Sequence, residues 1–138
     1  MAGFPKRARK LSLRTLTELH QTGMALFHHP FKVFYLIRPV PSGAHPECKI
    51  VVSVSKRNFK RAVDRNRIKR QMREAFRLNS NALNQELRLC HRQIDLLCLY
   101  LPHEHTATPL LSNKMESLLA RLTRLVAQAD APPIDRID

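Results

Sequence analysis

The 138-residue sequence has no tryptophan, three cysteines and only 11 acidic residues. It also lacks any apolar run approaching the roughly 18 residues that a membrane span needs. Without Trp, and with few large apolar residues among its cations, the basic part of the chain lacks the anchors of a helix lying in a membrane surface. Membrane is therefore not an expected partner. The odd number of cysteines, with Cys48, Cys90 and Cys98 in apolar or strand-like surroundings, argues against a disulfide scaffold. It suits buried thiols in a reducing, cytoplasmic setting. No C-x-x-C or H-x-x-x-H spacing occurs, so His28–His29, His103-x-His105 and Cys90–His91 with Cys98 do not specify a metal site, and loop or surface roles are expected for them. A protein nuclease would need clustered carboxylates or a His pair. Asp64 and Glu74 are ten positions and about 80° apart on a helix, and do not converge. Asp64 is expected to complement a helix start and Glu74 to pair with Arg70 or Arg77. No catalytic residue and no metal ligand is expected.

Positive charge is abundant, and it is concentrated. The chain carries 24 Lys+Arg and a formal net charge of +13. Positions 56–77 hold ten basic residues and two acids, positions 1–14 hold five basic residues and no acid, and the remainder is neutral. Two positive zones on a neutral body point to a polyanionic partner. The start "MAGFPKRARKLSLR" is basic with no apolar stretch after it, unlike a secretory signal. Its arginine-rich, acid-free composition also fits a mitochondrial transit peptide, but a flexible basic arm is the plainer expectation. With 43% hydrophobic residues and no internal repeat, the chain is expected to form one domain over 12–128, between a basic arm at 1–11 and an acidic, frayed tail at 129–138.

Within that domain, Leu13, Leu16 and Leu19 recur at helical spacing, with Ser12 or Thr15 as a cap and Gly23 as a stop. Residues 31–39 and 48–56 are rich in β-branched and aromatic side chains and flank a Pro/Gly loop, which predicts an antiparallel strand pair. In the first of them Phe31, Val33 and Tyr35 share one face and Lys32, Phe34 and Leu36 the other, so one apolar face is available for function. A helix is predicted over 62–78, with Ile68, Met72, Ala75 and Phe76 on one side and Asn66, Arg67, Arg70, Arg73 and Arg77 on the opposite side. "IDLLCLY" at 94–100 reads as a buried strand. Met115, Leu118, Leu119, Leu122, Leu125 and Val126 mark a last amphipathic helix.

Seven of the ten cations at 56–77 are arginine, whose planar fork fits phosphate bidentately and stacks on bases. Like charges three and four positions apart repel, so this one-signed face is better explained by phosphate contact than by solvation alone.

The segment "KRAVDRNRIKRQMREAFR" closely resembles the RNR motif of the bacterial ribonuclease P protein family: Arg65-Asn66-Arg67 and Ile68-Lys69-Arg70 match its centre, and "VSVSKRNFK" resembles the strand and basic turn leading into it. Order and size agree over about positions 10–126. The resemblance implies a small α/β (α+β) domain in which a mixed four-stranded sheet carries three helices, with an unusual left-handed crossover bearing the RNR helix. It also implies that a catalytic RNA subunit, with bound Mg2+, removes the 5′ leader of precursor tRNA while the protein assists. Carried over, Lys56, Arg57, Lys60, Arg61, Arg65, Asn66, Arg67, Lys69, Arg70, Arg73 and Arg77 would meet the RNA subunit. Phe31, Lys32, Phe34, Leu16, His20, Arg9 and Lys10 would face the single-stranded leader. This sequence departs from the family's "F-x-x-V-F" in the first helix, having Leu16, Leu19 and His20 there, and it has Phe59-Lys60-Arg61 where a glycine is common. A ribosomal or other structural RNA-binding protein is the alternative that charge and size would also suit. A DNA-binding regulator is disfavoured because no helix-turn-helix pair precedes the basic helix.

Overall fold

The computed structural model describes residues 13–129. They form α1 (Leu13–Thr22), β1 (Met24–His28), β2 (Phe31–Pro39), β3 (Cys48–Val54), α2 (Ala62–Asn79), α3 (Asn81–Cys90), β4 (Arg92–Tyr100) and α4 (Thr108–Ala129). The basic arm, the tail beyond residue 129, and Arg9, Lys10 and Ser12 lie outside the described residues.

Strand β4 organises the sheet. Gln93, Ile94, Asp95, Leu96, Leu97 and Cys98 are all buried, and a strand covered on both faces belongs in a sheet interior. It pairs antiparallel with β2 from Phe31↔Tyr100 to Pro39↔Arg92, and parallel with β3 from Cys48↔Ile94 to Val54↔Tyr100. With β1 antiparallel to β2, the order is β1-β2-β4-β3. The expected direct pairing of 31–39 with 48–56 is therefore wrong, because β4 stands between them. Nearness in sequence favours a hairpin, but β4 gains the most burial from the centre. Strand β3, alternating buried and half-buried with Lys49 and Ser53 on its wetter side, suits an edge.

The described residues form four helices, where three were expected. Helix α3 follows α2 with only Ser80 between them, so the apolar periodicity runs through the break. It buries Leu83 and Leu87, one turn apart, and ends at His91, whose left-handed backbone (φ 54°) closes the helix with its N–H on the Arg88 carbonyl at 3.3 Å. Strand β1 was also not read from the sequence, since five residues give too short an alternation.

Helices α2, α3 and α4 cover one face of the sheet. The predicted stripe of Ile68, Met72, Ala75 and Phe76 is buried there, with Leu111, Met115, Leu118, Leu119, Leu122 and Val126 of α4, against Phe31, Val33 and Tyr35 of β2 and the even-numbered residues of β4. Cys48 and Cys98 are buried free thiols, and burial pushes both up from the usual thiol range. No helix among the described residues is long and apolar enough to cross a membrane.

Among the described residues the opposite face carries α1, anchored by the fully buried Leu19. Beneath it Asp95, with 3% of its side chain exposed, lies 3.0 Å from Arg38 Nε, a charge contact without hydrogen-bond alignment. Gln93 Nε2 donates to Asp95 Oδ1 at 3.2 Å, and Arg38 Nη2 donates to Glu18 Oε1 of α1 at 3.3 Å. The chain Asp95–Arg38–Glu18 thus ties β4, β2 and α1 together. Burial raises the Asp95 carboxyl above its ordinary value, opposed first by Arg38.

Removal of Arg38 would strand a buried carboxylate. Arg38→Met is expected to cost about 3 kcal/mol at neutral pH, the low end for breaking a buried pair because Arg38 is itself one-third exposed. A carboxyl with a raised folded pKa contributes stability that is full below its unfolded value of 3.8 and is lost as pH rises through the folded value. The variant enlarges that loss, so its deficit should shrink in acid. Chemical denaturation at pH 7 and pH 4 measures this, and equal deficits would contradict it.

Candidate nucleic-acid interface

The basic turn between β3 and α2 is held from within. Phe59 is buried, with its ring centroid 6.1 Å from that of Tyr100 and 5.2 Å from that of His105. Asn58 Nδ2 donates to the Leu101 carbonyl at 3.1 Å. Arg65 reaches back from the first turns of α2, and its Nη1 donates to the carbonyls of Phe59 and Lys60 at 2.8 and 2.9 Å. The loop after β4 is braced in turn by the Tyr100 hydroxyl, which donates to the Glu104 carbonyl at 2.6 Å and lies 2.7 Å from Thr106 Oγ1. Phe59 thus acts as a packing anchor beneath the basic turn. Asp64 contacts Arg61 and His105 at 3.5 Å each, beside the helix start.

This scaffold sorts the predicted cations. Lys56, Arg57 and Lys60 on the turn, and Asn66, Arg67 and Arg70 on α2, are exposed. Arg61 is exposed but paired with Asp64, and Arg77 is exposed but paired with Glu74, its Nε donating to Oε1 at 3.1 Å. That pair raises the Arg77 guanidinium and lowers the Glu74 carboxyl. Lys69 and Arg73 are half-buried, as is Arg65. Arg67 and Arg70 also border a groove of about 390 Å³ between α2 and the start of α4, floored by Ala75 and Leu78.

The second predicted region lies on the face under α1. Phe34 is half-buried, its ring 5.2 Å from the exposed imidazole of His20 at a tilt of 48°. Lys32 is exposed, and its Nζ stands 5.3 Å from the Phe34 ring centroid. An aromatic pair with a cation at its edge is therefore built here, with Leu16 half-buried on the same helix. Phe31 is not part of it. Its exposure is 0%, because it shares the helix-covered face with Val33 and Tyr35, so its assignment to the cleft is corrected. Sequence reasoning missed Phe27, 62% exposed on β1 and directly opposite Lys32. The alternation in "MALFH" was a usable signal, though a weak one over five residues.

Residues 4–123 match the family model described as Ribonuclease P. The ribonuclease P protein component of Porphyromonas gingivalis is 38% identical over 92 residues, which are 67% of this chain and 64% of that protein. That of Idiomarina loihiensis is 62% identical over 39 residues, 28% of this chain and 30% of its own length. The match thus spans just under two thirds of the first of these relatives. The fold is similar to that of the Staphylococcus aureus RNase P protein (TM-score 0.63, 21% identity, 83% of this chain and 94% of that one) and of the RNase P protein from Thermotoga maritima (TM-score 0.62, 21% identity, 82% and 96%). By the family model, which takes in most of its length, the chain belongs to the ribonuclease P protein family.

Proposed function

We propose that this chain is the protein subunit of ribonuclease P, which assembles with a catalytic RNA and helps it remove the 5′ leader of precursor tRNA. The observation that carries this reading is the separation of two surfaces. A band of exposed cations runs along the pinned turn and the outer side of α2, while a cleft with an aromatic ring and a lysine opens on the other face of the sheet. The first suits a large folded RNA, bound through phosphates by Lys56, Arg57, Lys60, Arg67 and Arg70. In this reading Arg65 positions the turn and Asn66 adds a neutral contact. The second suits a single strand, held by stacking on Phe34 and His20 with Lys32 at a phosphate. A ribosomal role is not favoured, because nothing in it calls for the cleft.

The chemistry is assigned to the RNA. The acids of the basic segment and of the sheet centre are engaged: Asp64 with Arg61 and His105, Glu74 with Arg77, and Asp95 with Arg38 inside the domain. Among the described residues no group of three or more His, Cys, Asp or Glu is arranged to hold a metal ion, so these side chains do not fit a magnesium site. We assign Mg2+ to the RNA subunit and substrate.

Rigorously RNA-free protein should not cleave precursor tRNA, and cleavage should appear when the RNA subunit and Mg2+ are added. Activity in the first assay would overturn the assignment. Arg67→Glu or Arg70→Glu should weaken assembly with the RNA subunit and leave the melting temperature nearly unchanged, whereas Met72→Asp, at a fully buried position, should unfold the domain. Filter binding with thermal melts separates the two effects. Phe34→Ala should lower affinity for precursor tRNA by about 1–3 kcal/mol without changing that for mature tRNA. Its folding cost should fall well below the about 3–5 kcal/mol expected for Phe31→Ala.

A further inference from the structure

Strand β1 closes the sheet at the edge farthest from β3, and therefore farthest from the basic turn that follows β3. It is exposed in an uneven way. Leu26 faces the helices and is buried, while Phe27, on the cleft face, is 62% exposed. The register sets Phe27 opposite Lys32, and Ala25 opposite Phe34. Phe27 and Phe34 are thus diagonal neighbours, with backbones roughly 7–8 Å apart. The small Ala25 leaves the floor between them low, and Lys32, opposite Phe27 in the register, holds its Nζ over the Phe34 ring.

An exposed phenylalanine on an edge strand is a liability unless the position is used. This one is fixed in place. Arg121 of α4 donates from Nη1 to the Phe27 carbonyl at 3.1 Å and stands 3.4 Å from His28 Nδ1. His28 Nε2 is in turn 3.1 Å from Ser117 Oγ. Burial and the nearby charges of Arg121, Lys114 and His29 lower the His28 imidazole from its usual range, so Arg121 meets a neutral ring. Within α4, Lys114, Arg121 and Arg124 outnumber the single acid, Glu116.

We propose that Phe27 is a second base-stacking platform, which takes a leader nucleotide farther from the cleavage site than the one at Phe34, with Lys32 at the phosphate between them. The proposal rests on the leader-cleft reading above and extends it. The polarity follows from the strand order: a leader leaving the RNA subunit, which is read onto the turn and α2, would reach the β1 edge last. A single strand is the fitting occupant because the site sets a ring beside the Lys32 cation and offers no donor–acceptor pattern for reading bases.

The test uses the reconstituted holoenzyme and precursor tRNAs with leaders of graded length. Phe27→Ala should lower affinity roughly five- to 150-fold for long leaders and leave the shortest unchanged, the range expected for losing one base–aromatic stack. Phe27→Tyr should restore it. Phe27→Leu keeps apolar bulk without a ring and should behave as Ala, which guards against a folding effect. If Phe34→Ala weakens binding while Phe27→Ala does not at any length, the second platform is wrong and the cleft reading stands. If neither variant matters, the cleft reading itself falls. An equal loss at all leader lengths would overturn the distal position.

Discussion

Nearly everything in this domain follows from the pairing of β4 on both of its edges. The strand is apolar on each face except for Arg92, Gln93 and Asp95, and its two partners run in opposite directions, β2 antiparallel and β3 parallel. A parallel neighbour cannot be reached by a tight turn, so the chain must cross over between β3 and β4. Helices α2 and α3 make that crossing. The basic helix therefore lies on the sheet by necessity of topology, with its apolar stripe sealed and its cations outward.

Among the described residues the other face is covered by α1. That helix is ten residues long, and its Leu19 is fully buried. The Asp95–Arg38–Glu18 chain fixes that helix to the two central strands by charge rather than by apolar area. A face held in this way keeps room for side chains such as Phe34, Lys32 and Phe27 to stay in contact with solvent. On the first helix, His20 supplies the ring that meets Phe34.

The positive surface is likewise not a uniform patch. Arg65 turns inward to hold the carbonyls of the basic turn, Arg61 and Arg77 are matched by acids, and Lys56, Arg57, Lys60, Arg67 and Arg70 have no ion-pair partner within 4 Å among the described residues. A rigid turn costs little further entropy on binding any partner, because its backbone is already held in place.

Several features were legible in the residues themselves, because they depend on local periods and on chemistry near in sequence. The helical stripe of Ile68, Met72, Ala75 and Phe76, the outward face with Arg67 and Arg70, the Glu74–Arg77 pair and the RNR resemblance are of this kind. The same alternation put Phe31 and Phe34 on opposite faces, yet both were expected at the leader, and the core shows that Phe31 is buried. Other features were decided by tertiary structure alone. The sheet order depends on which strand gains most from burial on both faces, a comparison that no single segment contains. The inward turn of Arg65 needed the carbonyls of Phe59 and Lys60 folded back against the helix. The pairing of Arg38 with Asp95, far apart in sequence, and the place of Phe27 beside Lys32 and Phe34 exist only once β1, β2 and β4 are in register, since hydrogen bonds across a sheet set distances that sequence spacing does not encode.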